Sequence, residues 1–139
     1  MTEEIKKLKV GTKMPDGTIF AGISPDTDKP MYVMAEDESV TMTFNEAAKF
    51  SGGLNKYRAY GHKGWRVPTK AELNVLFQNC EKGALKGTFN LAGLYGAGFY
   101  WSSTPGDLGV AWYQRFSDGV QRDYASSLTH KLSVRCVRD

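Results

Sequence analysis

Only two cysteines, Cys80 and Cys136, occur in the 139-residue chain. That number excludes a disulfide scaffold, and their wide separation excludes the CxxC spacing of zinc and redox motifs. They are expected as buried thiols, with a Cys80–Cys136 bridge the alternative in an oxidising compartment. Histidine is equally scarce: His62 and His130 are the only two, and His62, within Tyr60-Gly61-His62-Lys63-Gly64, reads as a loop residue. No run of apolar residues approaches the roughly 20 needed to cross a bilayer, which excludes membrane insertion by a helix. The segment 1–10, with Thr-Glu-Glu-Ile-Lys-Lys-Leu-Lys, lacks the apolar stretch and cleavage site of a secretory leader, so a cytoplasmic or phage-associated location is expected. P-loop, GxGxxG and HExxH patterns are all missing, which leaves nucleotide and metalloprotease chemistry without support.

What is present suits one globular domain spanning 1–139. A hydrophobic fraction of 41% with 24% charged residues is enough, at this length, to build a core without metal or disulfide support. The net charge of +3 is unevenly spread: residues 1–48 hold five basic and nine acidic groups, residues 49–87 eight and two. The basic middle could attract nucleic acid or a sulfated glycan. Against that, no aromatic residues interleave with its charges as they would along a single-strand groove.

Two segments have the sequence of a capped helix. Thr43-Phe44-Asn45-Glu46 forms a T-x-x-E capping box, followed by an apolar stripe of Phe44, Ala47, Ala48 and Phe50 that is expected to end at Gly52-Gly53. Thr69-Lys70-Ala71-Glu72 repeats the device after Pro68, with Leu73, Leu76 and Phe77 on one face and a close near Asn79. Short strands are expected at Leu8–Val10, Thr18–Ile23, Met31–Met34, Phe99–Ser103, Val110–Phe116 and Val120–Tyr124, the last two joined by a Ser117-Asp118-Gly119 turn. The final strand is expected over Lys131–Val137, with apolar residues on both faces and so in a central position. Between Cys80 and Gly98 lies a long glycine-rich loop. The prediction is an α+β architecture, two helices packed on short antiparallel sheets with long loops.

Four segments in order carry a further signal: Gly64-Trp65-Arg66-Val67-Pro68-Thr69, Gly98-Phe99-Tyr100-Trp101-Ser102-Ser103, Ala111-Trp112 through Phe116-Ser117-Asp118-Gly119, and Val134-Arg135-Cys136-Val137-Arg138. Together, over residues 41–138, they resemble the Lcl C-terminal-domain family, a bacterial and phage module. The resemblance extends to the wider group with a C-type-lectin-like fold, which includes formylglycine-generating enzymes and the variable proteins of diversity-generating retroelements. It implies a C-type-lectin-like fold here and a ligand surface on the final sheet.

Each piece also has a physical reading. Trp65 is a core anchor beside a capped helix. Trp101, flanked by Ser102 and Ser103, reads either as scaffold or as the wall of a ligand site. Along Val110–Phe116, period two separates Trp112, Gln114 and Phe116 from Ala111, Tyr113 and Arg115. The family pattern turns the Trp/Phe side inward, which leaves Tyr113 and Arg115 exposed, a composition favoured at recognition hot spots. Gln121, Asp123 and Tyr124 are expected to share that surface, bordered by the loops 104–109 and 125–130.

Enzymatic readings fare poorly. In formylglycine-generating enzymes a second cysteine five residues before the terminal one completes a copper pair, and Lys131 stands at that position here. Cys136 on an apolar strand face is an inert thiol by expectation, and no acid or oxyanion motif accompanies His130. The Glu-Pro-Asn and Trp-Asn-Asp triplets of calcium-dependent lectins are missing, and the acidic runs 26–28 and 36–38 read as solvated charge. The sequence therefore predicts no catalytic residue, no metal and no cofactor. It predicts a recognition module for a protein or glycan using Tyr113, Arg115, Gln121, Asp123, Tyr124 and Trp101, with a polyanion binder built on 49–87 as the alternative.

Overall fold

A computed structural model describes residues 8–126 and 128–139. Residues 1–7, read above for a leader sequence, and Ser127 within the 125–130 loop lie outside the described residues. The elements follow the chain as β1 (Ile19–Ile23), β2 (Pro30–Val33), α1 (Phe44–Lys56), α2 (Lys70–Asn79), β3 (Phe99–Pro105), β4 (Val110–Arg115), β5 (Gln121–Ser126) and β6 (Val137–Arg138). The strands make two three-stranded antiparallel sheets, ordered β1-β2-β6 and β3-β4-β5. The fold is α+β, as the sequence predicts.

Both helices begin where the capping boxes stand. The Thr43 hydroxyl accepts from the Glu46 amide at 3.2 Å while the Glu46 carboxylate accepts from the Thr43 amide at 2.9 Å. Thr69 and Glu72 repeat the exchange at 3.1 and 3.0 Å. Each box satisfies two amides that a helix start leaves orphaned. The end of α1 differs from expectation: the helix passes through Gly52-Gly53 and continues to Lys56. Glycine weakens a helix interior without forbidding it, and Asn55 supplies a local reason to continue. Its side chain brackets Trp65, accepting from the Trp65 amide at 2.7 Å and donating to the Trp65 carbonyl at 2.9 Å.

Residues 8–10 form no strand; a turn at Val10-Gly11 brings the Gly11 amide to the Phe20 carbonyl at 2.8 Å. The final strand is also shorter than predicted. Residues 132–136 run through the interior as an irregular segment with isolated bridges at Leu132 and Ser133, and only Val137 and Arg138 pair along β2. Val137 also bridges Arg66, so it does occupy the predicted central position.

Two apolar clusters lie on either side of the β3-β4-β5 sheet. One gathers Ile19, Met31, Val33, Leu73, Leu76, Leu85, Phe89, Tyr100, Phe116 and Val137. The other gathers Met42, Ala47, Trp65, Val67, Trp101, Ala111, Tyr113, Leu132, Val134 and Cys136. Neighbouring Tyr100 and Trp101 thus enter opposite cores, as alternation along a strand requires. Cys80 falls in the first cluster and Cys136 in the second, and both are free, so the alternative of a bridge between them is excluded. Trp65 is the anchor that its sequence setting implies: it is buried, and its indole donates to the Ala59 carbonyl at 2.9 Å.

Candidate recognition surface

The surface expected on β4 and β5 is built differently from the sequence reading. Trp101 is completely buried, and its indole nitrogen donates to the Met42 carbonyl at 2.6 Å. It is scaffold, not a ligand wall. Tyr113, expected in the open, is 7% exposed. The reason is register: Trp101 pairs with Tyr113 across β3 and β4, so Tyr113 shares the buried face of the indole. Conversely Trp112, expected to be buried, is half-covered by Lys70, whose ammonium lies 3.4 Å from the centre of its ring. Such a cation over an indole is attracted to the electron-rich face.

The β4-β5 ladder redistributes the rest. Gln114 pairs with Gln121 and Tyr113 with Arg122, and a bulge intervenes before Ala111 meets Ala125. Gln121 therefore faces α2, donating to the Lys70 carbonyl at 2.8 Å, and does not share the Tyr113 side. Arg122 takes the place the sequence reading gave to Gln121. Asp123, in the bulge, packs beside Gly106, where an added Cβ would come within 3.1 Å of it. Tyr124 is exposed, as predicted.

What the fold assembles is a ladder of rings edged by guanidiniums. Phe99 and Tyr113 stack 5.5 Å apart at 12°. Tyr95 meets Phe99 edge-on at 5.1 Å and His130 at 5.8 Å. Arg115 lies 5.9 Å from the Phe99 ring and Arg122 lies 5.6 Å from the Tyr124 ring. Phe99, Tyr113, Arg115, Val120 and Arg122 enclose a shallow pocket of about 140 Å³.

Arg115 is held by a forked ion pair with Asp118, with Nε 3.0 Å from one carboxylate oxygen and Nη2 bonded to the other. The pairing raises the Arg115 pKa and lowers that of Asp118. The turn that carries Asp118 needs its glycine: Gly119 has φ +82°, and a Cβ there would collide with the Phe77 ring. Arg122, in contrast, forms no ion pair among the described residues. The Tyr113 hydroxyl likewise has no hydrogen-bond partner among them, and burial raises its pKa. The sequence reading missed Tyr95, Phe99, Val120 and Arg122. Both Phe99 and Arg122 were within reach: Phe99 shares parity with Trp101, and pairing across the 117–119 turn sets Arg122 opposite Tyr113.

Other candidate groups are accounted for structurally. Asp37, expected as solvated charge, binds Arg135 at 3.1 Å and accepts from the Tyr100 hydroxyl. His62 pairs with Asp16 at 2.8 Å. Burial pushes the Cys136 thiol up to about 12 and raises Cys80 as well. Within the basic stretch, Arg66 is committed to Glu72 and Asp139 and Lys70 to Trp112. Among the described residues no group of three His, Cys, Asp or Glu side chains could hold a metal ion, and no helix is long and apolar enough to cross a membrane.

The family model of the Lcl C-terminal domain matches residues 24–138. The chain belongs to that family, and the match begins well before the first diagnostic motif, taking in β2 and the loop before it. No curated protein matches the chain in sequence.

Proposed function

We propose that this domain is a non-catalytic recognition module of C-type-lectin-like fold, which binds a protein or glycan ligand on the Tyr95–Phe99–Tyr113 ladder between Arg115 and Arg122. The observation that carries the reading is that the Arg122 guanidinium and the Tyr113 hydroxyl have no hydrogen-bond partner among the described residues, beside stacked rings and a shallow pocket. Flat aromatic faces offer apolar area at low entropic cost, and a guanidinium adds directional bonds to carboxylates, carbonyls or sugar hydroxyls. The buried thiols are raised away from the thiolate form that chemistry needs.

The test is a screen of the purified protein on immobilised glycans and peptides, repeated with Arg122→Ala and Tyr113→Phe. Tyr113→Phe removes the hydroxyl while keeping the stacked ring, whereas alanine at this buried position would disturb the fold. A hit weakened tenfold or more by either variant, with an unchanged circular dichroism spectrum, supports the site. A hit indifferent to both moves the ligand elsewhere.

A second reading, polyanion binding by the basic middle, is favoured by one fact: residues 47–71 contain no acidic residue, while Lys49, Lys56, Arg58 and Lys63 are exposed. Its mark is affinity for heparin or single-stranded DNA that falls steeply with salt. Binding unchanged between low and physiological salt would exclude it.

A further inference from the structure

Leu108 is the most exposed large apolar residue among those described, fully open to solvent, and its backbone is strained. Leu108 has φ +50° and Gly109 φ +79°, and the Val110 amide closes the turn on the Asp107 carbonyl at 3.1 Å. Two central residues with positive φ mark a primed hairpin turn, where asparagine or glycine is preferred at the first position. Leucine in that conformation costs on the order of 1 kcal/mol. The fold thus tolerates strain at the point where it presents its most exposed leucine side chain among the described residues to solvent. Val110 pairs with Ser126, so exposed Leu128 lies beyond the same end of the β4-β5 ladder. Asp107 gives this tip a negative charge, and residues 104–114 contain no lysine or arginine.

A surface of opposite character lies on α1. Phe50, Gly53, Leu54, Tyr57 and Ala59 line an apolar pocket of about 250 Å³, and Tyr57 is 79% exposed. Exposed Lys56 and Arg58 lie on either side of Tyr57 in the chain. The Lys56 ammonium lies 5.8 Å from the centre of the Tyr57 ring, so the apolar wall of the pocket carries positive charge at its Tyr57 end, while the 107–109 turn combines an apolar point with an acidic flank.

We propose that the Asp107–Gly109 turn of one molecule docks into the Phe50–Leu54–Tyr57 pocket of a second copy of this chain. Leu108 enters the pocket, and Asp107 faces Lys56 and Arg58. The two patches are different surfaces, so the contact is heterologous and propagates into a closed ring or an open filament. Both patches are small, which places the interface below the roughly 1,200 Å² of stable complexes and makes association weak and concentration-dependent. The acidic turn disfavours an anionic membrane as the occupant. Neither patch contains Phe99, Tyr113 or Arg122, so the proposal stands apart from the recognition reading.

Sedimentation velocity on the full chain, from about 10 μM to about 1 mM, covers the range in which a small interface associates. The weight-average mass is expected to rise with concentration. Leu108→Asn, which suits the turn, and Tyr57→Ser, at an exposed position, should each weaken association at least tenfold. Asp107→Lys should do the same, and combining it with Lys56→Asp and Arg58→Asp should restore association. Thermal unfolding of each variant reports that the fold persists. A wild-type chain that stays monomeric throughout overturns the proposal, as does self-association unchanged in both Leu108→Asn and Tyr57→Ser. If the wild type is monomeric but binds phosphatidylserine vesicles through Leu108, the proposal is overturned in favour of a lipid surface.

Discussion

Arg135 and Asp37 meet 3.1 Å apart although 98 residues separate them in the chain. Arg135 is fully buried, and every arm of its guanidinium is used: Nε donates to the Met34 carbonyl at 2.8 Å, Nη1 to the Thr88 carbonyl at 2.9 Å and Nη2 to the Thr88 hydroxyl at 3.1 Å. Its plane also lies 4.2 Å from the centre of the Phe89 ring. Asp37 in turn accepts from the Tyr100 hydroxyl, and the same hydroxyl accepts from the Asn90 amide at 2.8 Å. Burial and the neighbouring carboxylate raise the Tyr100 pKa, so its proton stays in place.

Removing one member of such a pair strands the other charge in the interior. Asp37→Ala is expected to lower stability by about 3–5 kcal/mol, the usual cost of an uncompensated buried charge. Urea unfolding followed by fluorescence measures it. A loss under about 1 kcal/mol, typical of an exposed pair, would mean that Arg135 is not the buried charge described above.

Acid should weaken the fold through two carboxyls. Asp16 experiences burial, which works against ionisation, but the Thr18 hydroxyl and amide and the Arg138 guanidinium outweigh it and lower its pKa from 3.8 to about 2. Glu72 is likewise lowered: burial opposes its charge, while Arg66, the Ser24 hydroxyl and the Thr69 amide favour it. A carboxyl with a folded pKa below its unfolded value contributes stability above the unfolded value and loses it as pH falls through the folded one. Stability should therefore be highest near neutrality and fall below about pH 4, with the Asp16 share lost toward pH 2. Asp16→Asn should be less stable than wild type at pH 7 and nearly equal to it at pH 2. A difference that stays constant between these pH values would refute the assignment.

The thiols provide an independent check on the core. Cys80 and Cys136 should both resist a thiol reagent in the native protein at pH 7, and two equivalents should react once it is unfolded in denaturant. Rapid native labelling of Cys136 would contradict its burial and the raised thiol, and would reopen a chemical role for it.

Gly52 lies inside α1 with no neighbour within 4 Å of an added Cβ and without a positive φ. Gly52→Ala should therefore stabilise the protein by about 0.5–1 kcal/mol, since alanine loses less backbone freedom on folding. A thermal midpoint unchanged or lowered by the substitution would count against a continuous helix at this point.

The parts of the fold legible in the sequence are those fixed by neighbours a few residues apart. Both helix starts were readable because Thr43 with Glu46, and Thr69 with Glu72, satisfy their amides within one turn. The end of α1 was not, because Gly52-Gly53 is outweighed by Asn55 reaching Trp65, ten residues on. The expected exposure of Tyr113 fails in the same way. Period-two reasoning assumes one wet face, and here a second core covers the Tyr113 side of the sheet. The Arg115–Asp118 turn is legible because it depends on the hairpin alone. Arg122 comes opposite Tyr113 through the register set by the 117–119 turn, whereas the bulge beyond that pair sets the places of Asp123 and Tyr124, and a bulge depends on long-range packing.

Segment 132–137, irregular as far as Cys136 and paired as strand at Val137, governs when the molecule can fold. Leu132, Val134 and Cys136 complete one core and Val137 the other, and the backbone partners of the first three, Met42, Glu38 and Met34, were synthesised about a hundred residues earlier. Neither core closes until this stretch has left the ribosome, so the preceding length of chain waits with its apolar faces uncovered. Such distant pairings make folding slow, because a long loop must close before any contact repays it. During that interval the nascent chain is a substrate for chaperones, and variants that loosen the 132–137 segment should be lost from cells as aggregates or degradation products before any ligand is met.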